Sequence, residues 1–313
     1  MVSFQIYQVN AFTDRAFTGN PAAVCLLDVP LTDEQYRLIA AEFRLSETAF
    51  VVTAPTAGGD WATTQRFHLR WFTPTVEVPL CGHATLATAA VLFREKKNTN
   101  KTVYFDTLSG ELVAELDDGK VNSGVAIYLP TAETVPLEES GVVIPQLEAI
   151  LEAVLGKAAP IKSLNYVPSR KRLLVRLQDG NGGDRPQLEA LQPKFDDMLR
   201  LHDGSQLSSV TVTTNGQVQP YDFCSRHFSP WVGIPEDPVT GSAHSYIVTY
   251  WSKQMDNKRE FLGNGKKELF SYKKRGASKH LHWQHVNVRH VEAISTSPGS
   301  LTPASALLAL PLS

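Results

Sequence analysis

The sequence has few cysteines, no long apolar run and no excess of charge of either sign. Its three cysteines, Cys25, Cys81 and Cys224, are odd in number and show no C-x-x-C spacing. This pattern favours a reducing compartment over a disulfide-stabilised module or a structural zinc site. No stretch approaches the roughly 18 apolar residues that a membrane-spanning helix needs. Residues 1–6 lack the basic and apolar regions of a signal peptide, so we expect a cytoplasmic protein without a membrane partner.

The charge balance limits the partners of the chain. Thirty Lys and Arg residues stand against thirty-two Asp and Glu residues, which gives a formal net charge of −2. No global basic field attracts nucleic acid, so an anionic ligand must be held locally. With 42% hydrophobic residues the chain can bury a substantial core. Its 313 residues favour two domains of about 150 residues each.

Short apolar or alternating segments predict a strand-rich protein with few helices. We expect strands at residues 4–9, 22–27, 48–53, 67–72, 103–105, 112–116, 125–129, 173–177 and 210–213. A capping-box sequence at residues 32–35 predicts the start of a helix. Residues 82–94 and 241–253 predict two longer, apolar helices that are buried on most sides. Strand-rich halves with one central helix each indicate an α+β fold.

An internal duplication is the most informative feature of the sequence. Residues 70–81 (RWFTPTVEVPLC) align without a gap with residues 226–237 (RHFSPWVGIPED) and share five identities. Three further residues in the second copy bring Gly82 into line with Gly241, and each glycine opens an apolar helix. Coincidence between two strand–loop–helix units is the less favoured interpretation. The duplication predicts two domains of one fold.

The paired helix starts predict a binding site for an anion. The first turn of a helix presents unpaired backbone N–H groups and a partial positive charge, and small residues let a ligand approach. Gly82 with His83, and Gly241 with Ser242, would each supply such a site and face a cleft between the domains. Taken singly, either glycine could merely begin a helix that Thr240 or Ser242 caps. Their paired occurrence favours the ligand site.

Four blocks of sequence resemble the signature motifs of the PhzF family of phenazine biosynthesis-like proteins. They are residues 19–24 (GNPAAV), 45–51 (LSETAFV), 72–84 (FTP and PLCGHA) and 236–243 (EDPVTGSA). Four such blocks in the family's order are highly specific, and the similarity spans roughly residues 4–272. Residues 69–100 resemble most the vertebrate branch, the phenazine biosynthesis-like domain-containing or MAWD-binding proteins.

The resemblance implies a diaminopimelate-epimerase-like fold, in which two pseudo-symmetric α+β domains each curve a sheet around a central helix. The domains would span residues 1–118 and 119–272, with a site between them that needs neither cofactor nor metal. By the same similarity, Glu47 matches the catalytic carboxylate. The positions that bind substrate are matched by Gly82, His83, Asp237, Gly241 and Ser242. Further candidates for the site are Asn20, Ser46 and Cys81.

The resemblance also bears on how a proton would be moved. Related epimerases carry two thiols that face each other from the two helix starts. The duplication places Cys81 opposite Asp237, which excludes a two-thiol racemisation. One carboxylate can instead remove a proton and return it elsewhere if burial raises its pKa.

Glu47 suits that role because it lies in an apolar segment at the start of an expected strand. A Glu47 that points outward or makes a strand-start hydrogen bond is an equally good interpretation of the residues alone, and the resemblance favours catalysis. Asp237 could alternatively cap a helix before Pro238. Its pairing with His83 across the cleft is a hypothesis.

The function that the resemblance implies is a racemase- or epimerase-like isomerase that moves a proton on a small carboxylate-bearing metabolite. The alternative is a non-catalytic binding or scaffold protein on the same fold, because fold does not fix function. The MAWD-binding branch is named for a WD-repeat partner, and such a partner or a homodimer is a further option for this chain.

Residues 273–313 form an atypical tail, where the resemblance stops although the family would continue. The tail holds four of the nine histidines and a single acid, Glu292. We predict that it packs poorly and leaves an unpaired edge on the sheet of the first domain. The alternative is a divergent but ordered strand, to which residues 285–291 could contribute through their alternation.

Overall fold

A computed structural model describes most of the chain. It covers residues 4–13, 19–54, 58–117, 124–157, 160–180, 184–216, 221–238, 240–258, 260–264, 269–274, 280–284 and 291–296. Among these residues, no helix is long and apolar enough to cross a membrane.

The described part of the first half is rich in strands. They are β1 (Phe4–Ala11), β2 (Asn20–Leu27), β3 (Glu47–Ala54), β4 (Arg66–Phe72), β5 (Glu77–Val78), β6 (Thr102–Thr107), β7 (Gly110–Asp117) and β8 (Gly124–Pro130). The helices are α1 (Asp33–Phe43) and α2 (Gly82–Ala90), and a π-helical turn over Val91–Glu95 extends α2. The predicted capping box is present, because Thr32 and Gln35 each accept a hydrogen bond from the other's backbone N–H.

The second half adds more helices to a similar set of strands. Its strands are β9 (Val135–Pro136), β10 (Ile161–Val167), β11 (Arg172–Leu177), β12 (Ser209–Asn215), β13 (Phe223–Ser229), β14 (Ile234–Asp237), β15 (Glu260–Asn264), β16 (Leu269–Lys274), β17 (His280–Gln284) and β18 (Val291–Thr296). Its helices are α3 (Leu147–Leu155), α4 (Asp184–Ala190), α5 (Phe195–Leu201) and α6 (Gly241–Gln254). All nine strands and the three helices expected from the sequence are present, whereas α3 to α5 and the strands β5, β9, β10 and β13 to β18 were not among them.

The pattern of strand pairing repeats between the halves. In the first half, β1 pairs antiparallel with β2, β2 parallel with β3, β3 antiparallel with β4, and β4 parallel with β6. Strands β7 and β8 then follow antiparallel. The same series of pairings joins β10, β11, β12, β13, β15, β16 and β17. The short strands β5 and β14 pair with β4 and β13, and α2 and α6 follow them. The structure therefore confirms two similar α+β units, while the boundaries at residues 118 and 272 stay predictions.

The two units exchange their outer strands. Strand β9 follows β8 along the chain but pairs with β10, and β18 follows β17 but pairs with β1. Strands β8 and β17 pair antiparallel with each other and join the two sheets. The predicted unpaired edge is therefore wrong, because β18 covers β1 from Phe4 to Val9. The alternative, an ordered strand in the tail, is correct, but the strand lies at 291–296. Residues 285–290 and 297–313 are outside the described residues.

The described apolar side chains form three clusters, and the largest surrounds the two central helices. Every residue of α2 is buried, as are the first twelve residues of α6, which confirms the prediction of helices enclosed on most sides. The second cluster lies beneath α3 and α5, and the third beneath α1. Burial of α2 and α6 in one shared core fixes the position of their first turns.

The two central helices begin in direct contact with each other. A Cβ atom added to Gly82 would lie 2.9 Å from Cα of Gly241, and one added to Gly241 would lie 2.8 Å from Cα of Gly82. Both distances are shorter than any normal contact between carbon atoms. Glycine is therefore required at both positions for the helix starts to meet.

Candidate active site

A cavity of about 620 Å³ lies beside the paired helix starts, and both units line it. The first unit contributes two carboxyl groups and several apolar side chains, namely Glu47, Glu77, Val78, Pro79, Leu80 and Leu108. The second contributes charged and hydroxyl-bearing side chains, among them Arg170, Lys171, Arg172, Asp237, Thr240 and Ser242. A ligand in the cavity would therefore have an apolar wall with two acids on one side and a basic, polar wall on the other.

Glu47 is the first residue of β3, a strand whose eight residues are all buried. Burial, and then the negative charge of Asp237, raises the pKa of Glu47 to about 8. Its Oε2 atom is buried without a hydrogen-bond partner among the described residues and lies 3.5 Å from Nε2 of His83. The carboxyl group is therefore mostly protonated at neutral pH, and it lines the cavity while its Oε2 atom faces His83.

His83 is the second residue of α2 and is only 1% exposed. Burial lowers its pKa to about 3, so the ring is neutral at physiological pH and forms no ion pair with Glu47. Its Nδ1 atom lies 3.3 Å from Sγ of Cys81, and its Nε2 atom lies 3.4 Å from Oγ of Ser46. His83 is not among the residues that line the cavity, and its predicted role in substrate binding stays a prediction.

A chain of hydrogen bonds links the two units at the site. Asn20 is fully buried, and its Nδ2 donates to Oδ1 of Asp237 over 2.7 Å. Its Oδ1 accepts from the Ser46 hydroxyl over 3.3 Å, and Ser46 immediately precedes Glu47. The amide of Asn20 thus holds Asp237 of the second unit in a fixed relation to Glu47 of the first.

The residues that precede the two central helices are Cys81 and Thr240. The three additional residues of the second copy place Thr240 at the helix start and Asp237 at the end of β14, close enough to Cys81 for its charge to act on that thiol. Burial, and then the charge of Glu47, raises the pKa of the Cys81 thiol well above its usual value. The two helix starts carry a protonated thiol and a hydroxyl, so two-thiol racemisation stays excluded.

Two arginines on the cavity wall were not expected from the sequence. Arg172 begins β11, and its Nη1 donates to the Ser242 hydroxyl over 2.9 Å. Arg170 lies two residues earlier, and its Nη2 donates to the Pro130 carbonyl oxygen over 3.2 Å. The run of three basic residues at 170–172 was the available signal. The position of this basic run at the cavity follows from the sheet topology.

One group of side chains could offer donor atoms to a metal ion. Donor atoms of Glu47, Cys81 and His83 lie within 4.8 Å of one another. Three protein ligands are typical of a catalytic zinc site, but zinc needs a thiolate and a carboxylate. Burial favours the protonated form of both acids here. The expectation of a site without metal or cofactor stays a prediction.

The structure brings the predicted site residues together at one junction. Asp237 and Ser242 line the cavity with Glu47, whereas Gly82 and Gly241 are not among the lining residues and pack against each other. The other candidates, Asn20, Ser46, Cys81 and His83, surround Glu47 or Asp237 through the contacts given above. The individual roles of these residues stay predictions.

The protein has two α+β units of one topology and a buried carboxyl group where their central helices meet. These features define the diaminopimelate-epimerase-like fold. The model of the PhzC-PhzF family, described as phenazine biosynthesis-like protein, matches residues 9–287, and the chain belongs to this family.

Similar proteins come from animals and bacteria. The chain is 42% identical over 258 residues to the rat phenazine biosynthesis-like domain-containing protein, which covers 81% of this chain and 85% of that protein. It is 40% identical to an uncharacterized isomerase of Pseudomonas aeruginosa, over 81% of this chain and 84% of that one. The crystal structure of a PhzF-family protein from Enterococcus faecalis superposes with a TM-score of 0.70 and 30% identity, over 93% and 99% of the two chains. Both the family and the fold predicted from the motifs are thereby confirmed.

Proposed function

We propose that this chain is an isomerase that moves a proton on a small carboxylate-bearing metabolite, with Glu47 as both acid and base. The observation that carries this proposal is the Glu47 carboxyl group, which lines the cavity and has a pKa of about 8. A general acid and base works best when its pKa is near the working pH. The family and the isomerase name of a bacterial relative support this reaction class.

The proposed reaction uses the two protonation states of one side chain in turn. At pH 7 roughly one Glu47 in ten is ionised, and this form would remove a proton from a carbon beside the substrate carboxylate. Negative charge then develops on the substrate, and the Ser242 hydroxyl with the N–H groups at the start of α6 would stabilise it. The protonated Glu47 would return the proton to a different carbon of the substrate, on the face from which it was removed.

The neighbours of Glu47 would act by positioning. The neutral ring of His83 would hold the Glu47 carboxyl group in one orientation, because it contacts Oε2 from inside the protein. Asp237 lines the cavity and would accept a hydrogen bond from the substrate while Asn20 fixes its other side. Gly82 and Gly241 would act through their lack of a side chain, which lets the two helix starts converge. The binding of a metabolite, of a WD-repeat protein or of a second copy of the chain stays a prediction.

Proton exchange with solvent tests this proposal, because it does not require that the product be identified. The purified chain is incubated in D₂O with a panel of small unsaturated or cyclic carboxylates, and deuterium at carbon is followed by NMR. We expect exchange on at least one compound by the wild type and a loss of about a hundredfold or more in Glu47→Gln. Glu148→Gln, an exposed change on α3, is the matched control and should exchange at the wild-type rate. Exchange by Glu47→Gln at the wild-type rate would show that Glu47 is not the base.

A further inference from the structure

Two guanidinium groups on the basic wall of the cavity form no salt bridge with a carboxylate in the described part of the chain. Arg170 ends a short turn, and Arg172 opens the strand that follows it, β11. Their hydrogen bonds go to uncharged oxygens, the Pro130 carbonyl and the Ser242 hydroxyl. Arg172 also lies over the ring of Tyr246, 5.8 Å from its centroid. A partly buried guanidinium is usually balanced by an acid. The charge of Arg172 acts on Glu47, but no described carboxylate lies within salt-bridge distance of either arginine.

Two buried polar atoms of residues that line the cavity also lack a hydrogen-bond partner among the described residues. They are Nε of Arg172 and Oγ1 of Thr240. Thr240 is 8% exposed, lines the cavity and lies two residues before Ser242, to which Arg172 donates. Buried polar groups in proteins almost always have a hydrogen-bond partner. Both atoms therefore indicate an acceptor that a ligand would supply.

The charges on the cavity wall do not balance among the lining residues. Lys171 is a third cation on the lining, beside the two arginines. Of the three lining acids, Glu77 is paired with Arg70 over 2.7 Å, and Glu47 is mostly protonated at neutral pH. The third acid is Asp237, so the lining holds three cations against one further acid. This positive excess favours an anionic ligand, to which the two partly buried arginines offer two guanidinium groups.

We propose that Arg170 and Arg172, together with Thr240, form a second anion subsite, and that the substrate of this enzyme is a dianion. One carboxylate would lie at the start of α6 near Ser242, and a second oxyanion would accept hydrogen bonds from the two guanidinium groups. Arginine binds carboxylate and phosphate oxygens in the same manner, so the second group is either of these. The apolar wall around Leu80 and Leu108 would hold the carbon skeleton between them. This inference rests on the proposed function, because it assigns the substrate class of the same cavity.

Matched probes with one or two charges test the subsite by calorimetry on the full chain. Glutarate is compared with valerate, which has the same number of carbons and one carboxylate. Phosphoglycolate is compared with glycolate for the phosphate case. We expect one dianion to bind the wild type about tenfold or more tightly than its monoanion. Equal affinity within both pairs, or no detectable binding of either dianion, would overturn the proposal without any variant.

Two variants then assign the preference to the arginines. Arg170→Gln should lower dianion affinity about tenfold and leave the monoanion within about twofold. Arg172→Gln should lower dianion affinity at least as much and also weaken the monoanion, because Arg172 donates to the Ser242 hydroxyl beside the first carboxylate. Arg200→Gln, an exposed change on α5, should behave as the wild type. If valerate weakens as much as glutarate in Arg170→Gln, this arginine holds the single carboxylate and the second subsite is refuted. Glu47→Gln should keep the dianion preference, so a failed exchange experiment and a failed subsite are distinguishable.

Discussion

Replacing Glu47 by Gln should stabilise the fold while it abolishes proton transfer. The pKa of Glu47 rises from 4.5 to about 8 on folding, chiefly because the carboxyl group is buried. The folded state therefore binds this proton more tightly than the unfolded state does. Ionising Glu47 is thus harder in the folded protein, and stability falls as the pH rises from 4.5 to 8. Glutamine keeps the shape of the protonated side chain and has no proton to lose over this range.

The size of the effect follows from the pKa difference. Each pH unit between the two pKa values changes the free energy of unfolding by about 1.4 kcal/mol. At pH 7 the wild type has lost at most about 3 kcal/mol, and relaxation around the charge reduces this, so we expect a gain of about 1–3 kcal/mol in Glu47→Gln. The gain should nearly vanish at pH 4.5 and be greatest at about pH 8.

Urea unfolding of both proteins at several pH values measures this gain. Glu148→Gln should follow the wild-type curve, because Glu148 is exposed on α3. A Glu47→Gln variant that is equally or less stable than the wild type at about pH 8 would refute the reasoning. It would mean that the Glu47 carboxylate is solvated or paired in the folded protein.

Two further predictions concern the packing of the fold. Gly241→Ala and Gly82→Ala should each lower the free energy of unfolding by about 1–3 kcal/mol, since the new Cβ would meet the facing glycine at 2.8–2.9 Å. Alanine is normally favoured over glycine in helices, so a gain in stability would contradict the close contact. Truncation after residue 290 removes the six residue pairs that join β18 to β1. It should lower the melting temperature and promote self-association through the exposed edge, as light scattering would show, whereas an unchanged melting curve would argue against the pairing.

Strand β13 shows why part of the fold could not be predicted from the sequence. All seven of its residues are buried, although they include Arg226 and His227. Arg226 donates to the carbonyl oxygens of Leu188 and Leu191 over 2.9 and 2.8 Å and pairs with Glu236. A polar segment of this kind resembles an exposed loop in the sequence, because the groups that satisfy it lie in other elements. The strands that were predicted have apolar side chains, whose alternation needs no such partners.

Some residues of the candidate site are indicated by the sequence motifs, and others become visible only in the topology of the fold. Glu47, His83 and Asp237 were predicted from the family motifs, and the structure brings them together. Arg170 and Arg172 were missed, because a short basic run usually lies on a solvated surface. Only the parallel pairing of β11 with β12, and the position of α6, makes these side chains part of the cavity wall.

The exchange of outer strands also determines when each sheet can be completed during synthesis. Strand β1 leaves the ribosome long before its outer partner β18, because Phe4 is paired with Thr296. At about 5–20 residues per second, the outer edge of β1 waits roughly 15–60 seconds for that partner. An uncovered edge strand readily pairs with other chains. The nascent chain should therefore depend on chaperones, or on temporary cover of β1, while the residues between β1 and β18 are synthesised.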